Sequence, residues 1–139
     1  MAQPNLPASM RAVRQRDKLT PELALAQTPV PVPSQPADVL VEVAATALCY
    51  SELTWARQNP RFFPPDKEPV PGQDMPGTVV QVGPGSSSSS SFKPGDQVFC
   101  RIDATRAGGL RDYTLALESE LALKPACLIG FARRELPRR

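Results

Sequence analysis

The stretch Val70-Pro71-Gly72-Gln73-Asp74-Met75-Pro76-Gly77-Thr78-Val79-Val80-Gln81-Val82-Gly83 decides how this chain is read. It opens on a Pro-Gly pair and closes on a glycine. Gly72 and Gly77 bracket four residues, so the backbone there is free to take positive φ or to pass close to another group. Residues 78–82 read as a buried strand, because Thr and Val suit a pleated, half-buried surface. Upstream lies a polar cluster, Cys49-Tyr50-Ser51-Glu52. Downstream, Lys93-Pro94-Gly95-Asp96-Gln97-Val98-Phe99 is a second turn followed by a strand, with Pro94 fixing φ and Gly95 supplying the positive φ of a type II turn.

The flanking sequence repeats this rhythm. Residues 38–47 form the clearest alternating strand, with Val39, Val41 and Val43 pointing one way and Leu40, Glu42 and Ala44 the other. Residues 10–16 alternate apolar and basic side chains, as a strand with one wet face does, and residues 22–27 read as its partner across a turn at 18–21. Residues 28–37 hold four prolines, which suit an extended connector or a ligand for a partner domain, and pair poorly in a sheet. Residues 51–58 are predicted to be a short helix, with Ser51 as its cap and Leu53, Trp55 and Ala56 available for packing. The Pro-rich loop at 60–71 carries Phe62 and Phe63, which either line a cleft or plug the edge of the core. Six serines at 86–91 read as a flexible hairpin insertion. Strands are predicted over 97–102 and 111–117, the latter with Tyr113, Leu115 and Leu117 on one face, and residues 121–125 close the domain. Short strands with Pro and Gly punctuation and a single short helix predict a mainly β fold, an antiparallel barrel or sandwich.

Composition narrows the function. The 139 residues include 17 Pro and 8 Gly, too many for a helical bundle. There is no histidine, which excludes a histidine general base, a Ser-His-Asp triad and a histidine-ligated metal. The three cysteines, Cys49, Cys100 and Cys127, are far apart and odd in number, unlike a disulfide framework or a zinc knuckle. The net charge of +2 hides an asymmetry: residues 129–139 carry four Arg and one Glu, so the rest is slightly acidic. That is unlike a nucleic-acid-binding domain. No apolar run is long enough for a bilayer and no signal sequence opens the chain, so a soluble, cytoplasmic protein without a membrane partner is expected.

Taken in order, these segments resemble the N-terminal, GroES-like domain of the medium-chain dehydrogenase/reductases, over residues 10–128. Zinc alcohol dehydrogenases of that family carry Cys-x-[Thr/Ser]-Asp where this chain has Cys49-Tyr50-Ser51-Glu52, and Gly-His-Glu-x-x-Gly where it has Gly72-Gln73-Asp74-Met75-Pro76-Gly77. The resemblance places Cys49 at the zinc thiolate, Gln73 at the zinc histidine, and Ser51 at the hydroxyl that meets the substrate oxygen. Glutamine is a poor zinc ligand, and the closely spaced cysteines of the structural-zinc lobe are missing. Gly108-Gly109-Leu110-Arg111-Asp112-Tyr113 is similar to the Gly-Gly-aromatic-Ala-Glu-Tyr of zinc-free quinone oxidoreductase-like members. The resemblance therefore implies a zinc-independent oxidoreductase in which NADPH carries the hydride. Ser51 and Tyr50 would face a carbonyl or quinone substrate. Cys49, Gln73, Asp74, Gly72 and Gly77 would shape the loops, with Cys49 also readable as a small buried apolar residue and Ser51 as a plain cap.

A dinucleotide site needs a glycine-rich turn between a strand and a helix. Gly83-Pro84-Gly85 leads into serines, so it reads as a hairpin, and no Rossmann domain is expected in this sequence. The expected organisation is a frayed segment at 1–9, the GroES-like domain at 10–128, and a basic tail at 129–139 from a truncated or mis-spliced reading frame. Two functions remain open at this point. One is the substrate-side part of an NADPH-dependent oxidoreductase, inactive alone; the other is a binding or structural module without redox activity.

Overall fold

A hairpin opens the fold. β1 (Ser9–Gln15) and β2 (Leu23–Pro29) pair antiparallel from Ser9↔Pro29 to Gln15↔Leu23, in a computed structural model that describes residues 5–85 and 90–128. The alternation in β1 does what its pattern predicts: Met10 and Ala12 are buried while Arg11 is exposed. The proline-rich connector that follows is pinned at its end, where the Ser34 and Gln35 N–H groups donate to the Asp38 carboxylate at 2.9 and 2.8 Å.

The main sheet has five strands in the order β6-β3-β4-β5-β7: β3 (Asp38–Val43), β4 (Asp74–Val82), β5 (Gln97–Arg101), β6 (Tyr113–Leu117) and β7 (Leu121–Leu123). Val39, Val41, Met75, Val79, Val98, Cys100, Ile102 and Ala116 pack into one core. Leu40, on the opposite face of β3, is fully buried as well, so this central strand is covered on both sides. The hairpin joins the sheet through a bridge between Ala12 and Arg111. The result is a mainly β fold with one short helix. Among the described residues every strand pair is antiparallel, so they contain no βαβ unit. None of their helices is long and apolar enough to cross a membrane. The basic tail at 129–139 and serines 86–89 lie outside the described residues.

Several boundaries differ from the sequence reading, and three of them have a clear local reason. β4 begins at Asp74, ahead of the predicted 78, and runs through Pro76. The last β3–β4 register pair is Val43↔Gly77, so at Pro76 the sheet asks for no N–H on that side. β3 ends at Val43 and not at 47, because Thr46 Oγ1 donates to the carbonyls of Gly72 and Asp74 and draws residues 44–47 out of the strand. The predicted helix is a 3₁₀ turn (Glu52–Thr54) running into α1 (Trp55–Gln58), and Ser51 does not cap it through its side chain. Ser51 sits in the left-handed region (φ 55°), which turns its carbonyl toward the helix to accept Thr54 N–H at 2.9 Å and Thr54 Oγ1–H at 2.8 Å.

Candidate functional site

The loops singled out by sequence converge at one end of the main sheet, and a buried carboxylate ties them together. Glu52 is 4% exposed. Its Oε2 accepts the Cys49 N–H at 2.8 Å and its Oε1 accepts the Gly72 N–H at 2.7 Å. One side chain thus fixes both the Cys49-Tyr50-Ser51 turn and the start of the Gly72-Gln73-Asp74 segment. Gly72 has φ 91°, and a Cβ there would stand 2.4 Å from Thr46 Oγ1, so the position requires glycine on both counts. Gly77 is set by close approach alone: a Cβ would meet the Glu42 carbonyl oxygen at 2.4 Å.

Strand alternation separates Gln73 from Asp74. Gln73 is fully buried and lines a cleft of about 360 Å³ with Trp55, Phe62, Arg101, Ile102 and the loop that follows. Trp55 and Phe62 form its aromatic wall, their rings tilted 56° with centroids 5.4 Å apart. Of the two readings of Phe62, the cleft is the observed one; Phe63 instead lies under the Lys67 ammonium, 4.1 Å from Nζ. Asp74 faces a different hollow of about 380 Å³, shared with Phe99 and Cys100. There its carboxylate accepts the Cys49 thiol at 3.7 Å and stands 3.9 Å from Arg101 Nε. Tyr50 is 97% exposed, and Ser51 Oγ reaches only Gln58 Oε1, at 3.5 Å. A groove of about 520 Å³ between the hairpin and residues 43–46 is larger, but holds none of these side chains.

The donor set does not fit a zinc ion. Burial, then the carboxylates of Asp74 and Glu52, push the Cys49 thiol up, and the thiol donates to Asp74. The Gln73 amide nitrogen is engaged by three backbone carbonyls. Among the described residues no three His, Cys, Asp or Glu side chains are grouped to hold a metal.

Thiol labelling checks this description. Cys127 is exposed, Cys49 half-buried and hydrogen-bonded, and Cys100 buried, with desolvation and the Glu120 carboxylate pushing its thiol up to about 12. A disulfide reagent at pH 7.5 is expected to modify Cys127 at once, Cys49 slowly, and Cys100 only after denaturation. Fast modification of Cys100 in the folded protein would contradict the core assignment.

Lys67 went unnoticed in the sequence, since nothing local marks it. Its Nζ donates to the Ala104 carbonyl at 2.5 Å, linking the 64–67 segment to the cleft's far loop. Burial pushes its ammonium down from about 10.5 to about 8, against the upward pull of Glu52 and Asp103. Between those values the unfolded chain binds more protons than the folded one, so stability rises with pH across that window. Urea melts at pH 7.5 and 10 are expected to show this rise in the wild type relative to Lys67→Met. Parallel pH dependences in the two proteins would remove Lys67 as its source.

Comparison with known proteins shows the family. The alcohol dehydrogenase GroES-like domain family matches residues 35–126. A protein of Arthroderma benhamiae named "Probable zinc-binding oxidoreductase, mitochondrial" is 46% identical over 122 residues, covering 87% of this chain and 34% of the relative. "Quinone-oxidoreductase QR1, chloroplastic" of Triphysaria versicolor is 34% identical over 102 residues, covering 71% of this chain and 29% of the relative. Among solved structures, a putative zinc-dependent alcohol dehydrogenase protein from Rhizobium etli superposes with a TM-score of 0.71 at 31% identity, over 86% of this chain and 34% of that one. The chain spans about a third of the length of the curated relatives it matches.

Proposed function

The chain belongs to the alcohol dehydrogenase GroES-like domain family, and from that premise we propose that it is the substrate-side domain of an NADPH-dependent, zinc-independent oxidoreductase acting on quinones or conjugated carbonyls. The observation that carries this reading is the aromatic-walled cleft at Gln73, whose Trp55 follows the Cys49-Tyr50-Ser51 turn closely in the chain. A flat, conjugated ring is the shape that Trp55 and Phe62 accommodate. The similarity to a quinone oxidoreductase supports the same substrate class.

NADPH, if held against this domain, would supply the hydride. This chain's part would be to place hydroxyl donors near the carbonyl oxygen of the acceptor, where they would stabilise developing negative charge. Ser51 is suited to this role: its hydroxyl has only a long, weak hydrogen bond and takes no part in capping. Tyr50, almost wholly exposed, presents a second hydroxyl from the same turn. The Glu52 carboxylate holds that turn in place through the Cys49 N–H. With the Gln73 amide nitrogen engaged by backbone carbonyls, the hydroxyl groups of this turn are the donors suited to oxyanion stabilisation.

Two measurements test the reading. The 139-residue chain alone should bind a naphthoquinone, seen as quenching of its single tryptophan, without oxidising NADPH. Joined to a cofactor-binding domain from a related oxidoreductase, it should transfer hydride, and Ser51→Ala should lower turnover about tenfold or more, with the melting temperature nearly unchanged. Saturable NADPH oxidation by the 139 residues alone would overturn the division of labour proposed here. A fall in melting temperature that accounts for all lost turnover would return Ser51 to a structural role.

A further inference from the structure

The loop at 102–106 contributes Ile102, Asp103 and Ala104 to the cleft that Trp55 and Phe62 also line, and it is held in an unusual way. The backbone carbonyl of Gln73 accepts the Ile102 N–H at 2.8 Å. The side chain of the same residue then turns back. Its NH₂ group shares two hydrogens among the carbonyls of Ile102 at 3.2 Å, Asp103 at 2.8 Å and Arg106 at 3.2 Å from Nε2. The one intervening carbonyl shown with a side-chain donor, that of Ala104, is taken by Lys67 Nζ. The loop's inward carbonyls are thus gathered on two nitrogens.

The other end of the Gln73 amide is orphaned. Oε1 is buried with no hydrogen-bond partner among the described residues. Three carbonyls around Nε2 leave no doubt which end carries the nitrogen, since turning the amide over would set oxygen against oxygen. A side chain chosen for stability alone would not leave a buried acceptor unpaired. What this glutamine does supply is a fixed distance between β4 and the 102–106 loop.

From this we infer that Gln73 is the positioning residue of the cleft: by collecting the carbonyls of Ile102, Asp103 and Arg106 it sets the gap between that loop and the Trp55–Phe62 wall, and so decides how flat a ligand the cleft admits. The link to a flat, conjugated ligand rests on the function proposed above; the link to the wall does not. Gln73 touches no reacting atom and acts through the loop.

The test uses the 139-residue chain and Trp55, its only tryptophan and part of the cleft's lining. In Gln73→Met, acrylamide quenching of Trp55 is expected to rise about twofold. Hydrogen exchange at 102–106 should quicken, and the naphthoquinone dissociation constant should rise about tenfold, the scale of one lost polar anchor. Gln73→Glu covers the case in which Gln73→Met fails to fold. A protonated carboxyl still donates one hydrogen bond, whereas an ionised one is repelled by the three carbonyls. Quenching and affinity in that variant should therefore depend on pH more than in the wild type, since Lys67, Asp103, Arg106 and Glu120, the charged groups at the loop, are common to both proteins. Wild-type quenching and exchange in Gln73→Met, or a pH profile in Gln73→Glu parallel to that of the wild type, would overturn the inference. A wild-type chain that binds no naphthoquinone would count against the proposed function, leaving Trp55 accessibility and exchange to decide the role of Gln73.

Discussion

Glu52→Ala is expected to lower unfolding stability by roughly 3 kcal/mol or more, because it strips the acceptor from two backbone N–H groups at once. The Gly72 N–H is buried, and a hydrogen bond to an ionised acceptor is stronger than one between neutral groups. Glu52→Gln is the sharper variant. Its amide oxygen can serve one of the two donors, but its NH₂ then faces the other, so a loss of about 1–3 kcal/mol is expected with little change in volume. Urea denaturation with an unchanged m-value would show that the loss lies in the folded state. The turn that presents Tyr50 and Ser51 should also loosen, read as faster modification of the Cys49 thiol in either variant. A loss below about 1 kcal/mol in Glu52→Ala would mean that water replaces the carboxylate and that Glu52 does not organise the site.

The difference between Glu52 and its neighbours shows what the sequence reveals and what it hides. Alternation is a local signal, and the strands it marks are present: the valines of β3, the buried Met10 and Ala12 of β1, and the turn at Lys93–Asp96, where Gly95 has φ 96°. The family resemblance also rests on local words, and the family match and the mainly β fold agree with it. The contacts that build the site are of another kind. Glu52 reaches Gly72 across 20 residues, Gln73 reaches the 102–106 loop across 29 to 33, and Lys67 reaches Ala104 across 37. Each depends on how strands pair in space, and no period or motif encodes it. Ser51 illustrates the same limit at short range. A serine before a short helix is ordinarily a cap, but here a left-handed backbone directs the carbonyl inward and leaves the hydroxyl outside. Trp55, assigned by sequence to packing, and Phe62, left between two readings, became an aromatic wall only when the 60–63 segment folded back on α1.

Gly108→Ala is expected to be a strongly disruptive single-methyl change near the site. Gly108 and Gly109 lie directly against residues 70–72: Gly108 N–H donates to Val70 at 2.8 Å, Gly109 N–H to Gly72 at 2.6 Å and Leu110 N–H to Pro71 at 3.0 Å. A Cβ on Gly108 would stand 2.5 Å from the Pro71 carbonyl oxygen, 2.6 Å from its carbon and 2.7 Å from the Gly72 oxygen. All three are backbone atoms on a segment whose own N–H is tied to Glu52, so no rotamer change relieves the clash. The two segments must part, and the three hydrogen bonds weaken together; a cost of about 3 kcal/mol or more follows, at the upper end for overpacking. Gly95→Ala is the control. It has φ 96° and nothing within 4 Å of its Cβ, so it bears only the left-handed backbone cost, about 1–2 kcal/mol. Because Gly108 abuts the residues that lead into Gln73, its substitution should also raise acrylamide quenching of Trp55, which Gly95→Ala leaves alone. Equal losses of stability in the two variants, with Trp55 unchanged in both, would show that the close packing of Gly108 on Pro71 contributes nothing beyond the general preference of turns for glycine.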